Sequence, residues 1–170
     1  MKLLIVSDTH GNTKYLKTLV GRAKSDFNLL IHLGDDSRDA DVINKTIIKV
    51  PGVYEGIYAL PGTKRRLIKT FDGVKTLITH TVKKHSNDLP NEPGPEELVY
   101  QNKVNLVLYG HTHIPDIKKV EDVLYVNPGH LKESDNRGHE PSYGIVECNK
   151  GSIKIDIYNF ITDKVIINYG

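Results

Sequence analysis

Five times along this chain a short apolar run stops at a polar cluster: Asp8-Thr9-His10, Gly34-Asp35, Pro61-Gly62-Thr63, Thr79-His80 and Gly110-His111-Thr112-His113. Runs of this length between turn residues read as buried strands. In open α/β sheets, ligand sites gather outside the carboxyl ends of strands, so residues scattered through a sequence can converge there. Asp8, His10, Asp35, His80, His111 and His113 are therefore expected to form one cluster.

The remaining pattern supplies the frame. A strand over 2–6 precedes a helix capped by Asn12, with Leu16, Leu19, Val20 and Ala23 on one face. A strand over 29–33 leads to a second helix through Val42, Ile43, Ile47 and Ile48, ended by Pro51-Gly52, and a third strand follows over 53–60. Segments 67–71 and 75–79 flank Asp72-Gly73, a strong hairpin signal. A polar loop over 81–95, a short helix over 96–101 and a buried strand over 104–109 come next. Strands over 123–126, 144–148, 152–160 and 165–168 complete the chain. Helical units early and hairpins late predict an α/β fold of two packed sheets with helices outside.

At 170 residues the chain is expected to form a single domain, 1–170. With 38% apolar and 26% charged residues, it has no apolar run long enough to span a bilayer, and no membrane partner is expected. Residues 3–6 are too short a run for a signal peptide. One cysteine, Cys148, excludes an intramolecular disulfide and suits the cytoplasm. A net charge of +2 gives no basis for non-specific nucleic-acid binding.

The polar clusters carry the chemistry. Residues of equal parity on an extended segment face the same side, so Asp8 with His10, and His111 with His113, each aim two ligands together. Mixed carboxylate and imidazole donors suit manganese, iron, zinc, cobalt or nickel and fit calcium poorly. Six such donors exceed the needs of one ion with open positions, and a carboxylate such as Asp35 can bridge two. Each cluster alone has a plainer reading, since Asp8-Thr9-His10 can start a helix and His111-Thr112-His113 can form a polar turn.

Asp8-x-His10, Gly34-Asp35, His80 and Gly110-His111-x-His113 resemble the motif series of the calcineurin-like metallophosphoesterases, in particular their small prokaryotic phosphodiesterase branch. Asn127-Pro128-Gly129, Arg137-Gly138 and Ser142-Tyr143 are similar to tail motifs of that branch. The resemblance implies a four-layer α-β-β-α sandwich of two mixed sheets with a dinuclear centre at one end. It implies that Asp8, His10 and His113 hold the first metal, that Asp35 bridges, and that His80 and His111 hold the second. The implied cofactors are two divalent ions, manganese first, and the implied reaction is attack of a metal-bridging hydroxide on a small or nucleotide-like phosphate ester. A homo-oligomer stays open.

The chain departs from that family after the third expected strand. Where the family carries Gly-Asn-x-Asp or Gly-Asn-His, this chain has Gly62-Thr63-Lys64-Arg65. Thr63 is a weaker metal ligand than asparagine, and Arg65 cannot act as a general acid near neutral pH. Lys64 and Arg65 are candidates for gripping phosphate, while His85 and His130 are candidate proton donors. His32 reads as a packing residue. The retromer scaffold subunit resembles the same fold, so a metal-binding but catalytically weak or inactive interaction module is the alternative function.

Overall fold

The computed structural model describes residues 1–22 and 26–170. Strand β1, Lys2–Val6, pairs in parallel with β2, Leu29–His32, and β2 pairs in parallel with β3, Ile47–Lys49. On its other side β1 is antiparallel to β9, Ser142–Asn149, which continues through β10, Ser152–Asn159, to β11, Val165–Tyr169. The resulting six-stranded sheet has the order β11-β10-β9-β1-β2-β3.

The second sheet holds β4, Arg66–Phe71, β5, Val74–Thr79, β6, Leu106–Leu108, β7, Asp116–Val120, and β8, Val123–Asn127, in the order β4-β5-β6-β8-β7. Its β4–β5 hairpin turns at Asp72-Gly73, as the sequence predicts. Strands β5, β6 and β8 run parallel, so their carboxyl ends share one edge.

Side-chain alternation sorts the layers. Leu3 and Ile5 of β1 face the second sheet and join Leu29, Ile31, Ile78, Leu106, Leu108 and Val126 in the central core. Leu4, Val6 and Leu30 face the other way, against Leu16 and Leu19 of α1, Thr13–Gly21. Leu77 and Val107 meet Leu98 and Val99 of α2, Pro95–Asn102, on the far side. Burying each such side chain contributes roughly 1.5–3 kcal/mol. The outcome is an α-β-β-α sandwich. Asn12 caps α1 by accepting from Tyr15 N–H at 3.3 Å, while Ala23, expected on the same face, lies outside the described residues.

Two expected elements differ. Residues 37–42 form a short 3-10 helix that ends at Ile43, and the β-branched Ile47 and Ile48 enter edge strand β3 rather than a helix. The expected strand over 53–60 is a run of turns: Tyr58 N–H donates to Glu55 O, Leu60 N–H to Ile57 O and Thr63 N–H to Leu60 O. Gly56 interrupts the alternation there, and Glu55 turns inward to accept from Gly52 N–H and Ser37 N–H. The Gly62 cluster therefore follows a turn, not a strand. Strand β7 lacks a sequence signature because its residues are polar and mostly exposed at a sheet edge.

Candidate metal centre

The carboxyl ends of β1 and β2 in one sheet face those of β5 and β6 in the other, and all six expected ligands meet at this edge. Ligand atoms of Asp8, His10, Asp35 and His113 lie within 4.8 Å of one another, and so do those of Asp35, His80 and His111. Asp35 belongs to both sets. Its Oδ2 is 3.7 Å from His10 Nε2 and its Oδ1 is 3.5 Å from His80 Nε2. His113 Nε2 lies 3.1 Å from Asp8 Oδ1 and 3.3 Å from His10 Nε2.

The backbone is strained where these side chains leave it. Asp8, His10, Asp35, His111 and His113 all have positive φ, between 46° and 70°. Each such residue costs on the order of 1–3 kcal/mol unless its surroundings hold it. Here they do: Asp8 N–H donates to Gly34 O at 2.9 Å, and His111 N–H donates to Asp8 Oδ2 at 3.0 Å. Asn127 Nδ2 donates to Gly110 O and to Thr112 Oγ1, which fixes the His111–His113 loop from the end of β8. Gly52 has no room for a side chain, since a Cβ there would stand 1.7 Å from Asp35 Oδ1.

Imidazole orientation is set from behind. His80 Nδ1–H donates to Leu33 O at 2.7 Å and His113 Nδ1–H donates to Asp135 Oδ1 at 3.0 Å, so both rings turn a bare Nε2 to the cluster. Buried Asp8 Oδ1 and His80 Nε2 have no hydrogen-bond partner. Leaving such groups unsatisfied costs about 1–3 kcal/mol each. One orphan lies in each ligand set, and a cation held by that set satisfies it. The donor set thus fits a pair of divalent ions.

Charge couples the groups. Burial opposes ionisation of Asp35, yet the nearby His80, His10 and His111 hold its carboxyl below the usual range. Burial also works against a charged His80, but Asp35 and Asp8 outweigh it and raise its pKa. Burial lowers that of His111.

The other expected site residues are placed differently. Thr63 Oγ1–H donates to Ile57 O at 2.9 Å, a contact within its own loop. Arg65, expected to grip phosphate, is instead buried: its guanidinium lies 3.0 Å from Glu92, donates to Leu60 O and covers the Tyr58 ring. Lys64 is exposed. His130, expected as a proton donor, has both nitrogens engaged, donating from Nε2 to His139 O and accepting Lys132 N–H at Nδ1. His85 folds over the second ligand set, its ring 5.9 Å from that of His111. His32 packs as expected and also links β2 to the Asp8 loop through Thr9 Oγ1 at 3.0 Å. Asp135, Glu55 and Asn127 are supporting residues that sequence reasoning does not assign; only Asn127, in its Pro-Gly motif, carries a local signal.

Two facing mixed sheets with such a cluster across one edge define a metallophosphoesterase fold. A family model described as the calcineurin-like phosphoesterase superfamily domain matches residues 1–151, and the chain belongs to that superfamily. Its class of activity is metal-dependent phosphoester hydrolysis. The probable metallophosphoesterase YsnB of Bacillus subtilis is 26% identical over 167 residues, covering 94% of this chain and 91% of YsnB. The phosphodiesterase YfcE of Escherichia coli is 33% identical over 54 residues, 32% of this chain and 29% of YfcE. The solved YfcE structure superposes with a TM-score of 0.70 at 20% identity, covering 99% of this chain and 98% of that one. Vps29 of Entamoeba histolytica, solved in complex with zinc, has a TM-score of 0.69 at 19% identity, covering 99% and 98%.

Proposed function

We propose that the protein is a phosphodiesterase that uses two divalent metal ions on a small or nucleotide-like phosphate ester. The observation that carries this reading is Asp35, one carboxylate shared by two ligand sets, each drawn from the strand ends of both sheets. Asp8, His10 and His113 would hold the first ion, Asp35 would bridge, and His80 and His111 would hold the second. Manganese suits these donors, as do iron, zinc, nickel and cobalt. Bound there, the ions supply Lewis acidity toward phosphoryl oxygens and a water acidic enough to ionise near neutral pH.

The chain contributes orientation. Leu33 O and Asp135 aim two Nε2 atoms, and the strained strand ends keep the ligands converged without reorganisation during the reaction. A 190 Å³ groove lined by His111, Thr112, Tyr109 and His85 adjoins the second set, a size suited to a small ester. YfcE is named a phosphodiesterase, which supports a diester substrate. Among the described residues no helix is long and apolar enough to cross a membrane. Single, buried Cys148 suits the cytoplasm.

A second reading, an interaction module that binds metal without efficient turnover, is favoured by the engagement of Thr63 with Ile57 O and of Arg65 with Glu92, and by the likeness to Vps29. Bound manganese and hydrolysis of bis(p-nitrophenyl) phosphate, measured with Asp35→Asn as control, separate the two. Turnover well above the control supports the enzyme, and metal binding with turnover no higher than the control leaves the module.

A further inference from the structure

Resting on the phosphodiesterase reading, we infer that His85 is a substrate-contacting residue, donating a hydrogen bond from Nε2 to the phosphate, and that a buried ionic clamp built from Arg65, Arg66, Asp88 and Glu92 positions it.

Two basic side chains leave the segment after Gly62 and both turn inward. Arg65 lies 3.0 Å from Glu92, and Arg66 reaches Asp88 at 2.5 Å and Glu92 at 3.4 Å. The Arg66 and Asp88 side chains are 3% and 0% exposed. Two cations are thus matched by two carboxylates. Burying such a group is costly and is weak support for stability as such, so a positioning duty accounts for it better. Tyr58 Oη–H donates to the second oxygen of Asp88. The clamp ties the 58–66 segment to the 85–92 loop.

Asp88 passes this order to His85. Its Oδ2 accepts His85 N–H at 2.8 Å, and its own N–H donates to His85 O at 3.0 Å, closing the 85–88 turn from both sides. Asn87 Nδ2 anchors that turn to Val53 O at 2.9 Å. The imidazole is then fixed in its tautomer, because Nδ1 accepts Asn87 N–H at 3.1 Å and the proton of a neutral ring must sit on Nε2. The ring stands edge-on between His111 and Tyr54, with centroids 5.9 and 5.8 Å away. Among the described residues no hydrogen bond engages Nε2. An oriented N–H donor therefore borders the second ligand set, on the groove it shares with His111. Arg66, next to the arginine that stands where the family has an acid, holds Asp88 behind this donor.

The test compares wild type, His85→Ala and His85→Gln in the manganese-loaded protein. Readouts are kcat and KM on bis(p-nitrophenyl) phosphate, bound manganese, and affinity for inorganic phosphate by calorimetry. His85→Ala is expected to lower kcat/KM about 100-fold and to weaken phosphate, with manganese content and melting temperature unchanged. His85→Gln, which keeps an N–H donor, is expected to recover part of both. Asp88→Asn is expected to follow His85→Ala in direction where it folds. Unchanged kinetics and phosphate affinity in His85→Ala, or loss of manganese from it, overturns the inference. No wild-type turnover above Asp35→Asn instead overturns the phosphodiesterase reading itself.

Discussion

Asp135 Oδ1 accepts the Nδ1–H of His113 at 3.0 Å, and the opposite nitrogen of that ring points 3.1 Å from Asp8 Oδ1. Burial works against ionisation of Asp135, but hydrogen bonds from Lys132, His113 and the Arg137 N–H outweigh it and hold the carboxyl well below the usual carboxylate range. The carboxylate behind the ring both fixes its tautomer and raises its basicity as a ligand. Asp135→Ala is expected to weaken manganese at the first set roughly 10- to 100-fold. Titration calorimetry reads this, and unaltered affinity would show that His113 needs no such support.

The contrast between Asp135 and the six candidate ligands marks the limit of what the chain discloses. Each candidate ligand follows an apolar strand or sits in a spaced pair, so periodicity finds it. The parity argument fails: Asp8, His10, His111 and His113 lie beyond β1 and β6 at positive φ, not on extended backbone. Asp135 lies in the polar stretch Ser134-Asp135-Asn136, where it looks like any turn residue. Glu55 is hidden for a related reason: the alternation of Val53, Glu55 and Ile57 suggests a strand, and only the tertiary contacts with Ser37 and Gly52 reveal the turns. Arg65 shows a third kind of loss. Its charge is legible as a departure from the family pattern, but its direction depends on Glu92, 27 positions away and unmarked by any motif. The two-sheet architecture was far more legible, because the central strands are apolar on both faces.

Gly52 gives a sharp test of the shared carboxylate. A Cβ at this position would meet Asp35 Oδ1 at 1.7 Å and Asp35 N at 2.4 Å, whereas one at Gly56 meets nothing within 4 Å. Because Asp35 serves both ligand sets, Gly52→Ala is expected to lower manganese stoichiometry at both together, with Gly56→Ala near wild type. Selective loss from one set would contradict the bridging geometry.

Thr63 is expected to act within its loop. Its hydroxyl donates to Ile57 O at 2.9 Å, and removing one such bond costs about 1 kcal/mol. Thr63→Val should therefore reduce stability by that order in urea denaturation and leave manganese stoichiometry unchanged. A fall in bound metal would instead return Thr63 to the ligand set.

His32 predicts how stability follows pH. Burial is the main cause that pushes its pKa down to about 4, against the opposing pull of Asp8, Glu55 and Asp39. In neutral form both nitrogens are satisfied, with Nδ1 accepting Gly34 N–H at 3.2 Å and Nε2–H donating to Thr9 Oγ1 at 3.0 Å. The unfolded chain takes up this proton near pH 6.5, while the folded protein resists it until about pH 4. Between those values the unfolded state binds more protons, so stability falls as pH drops through the window and is level above it. The contribution amounts to about 3 kcal/mol across the full window, since each pH unit corresponds to about 1.36 kcal/mol. Urea denaturation of the metal-free protein at pH 7 and pH 5 measures it. His32→Gln is expected to be less stable at pH 7 but to lose less on acidification, and an equal pH dependence in the two proteins would remove His32 as its source.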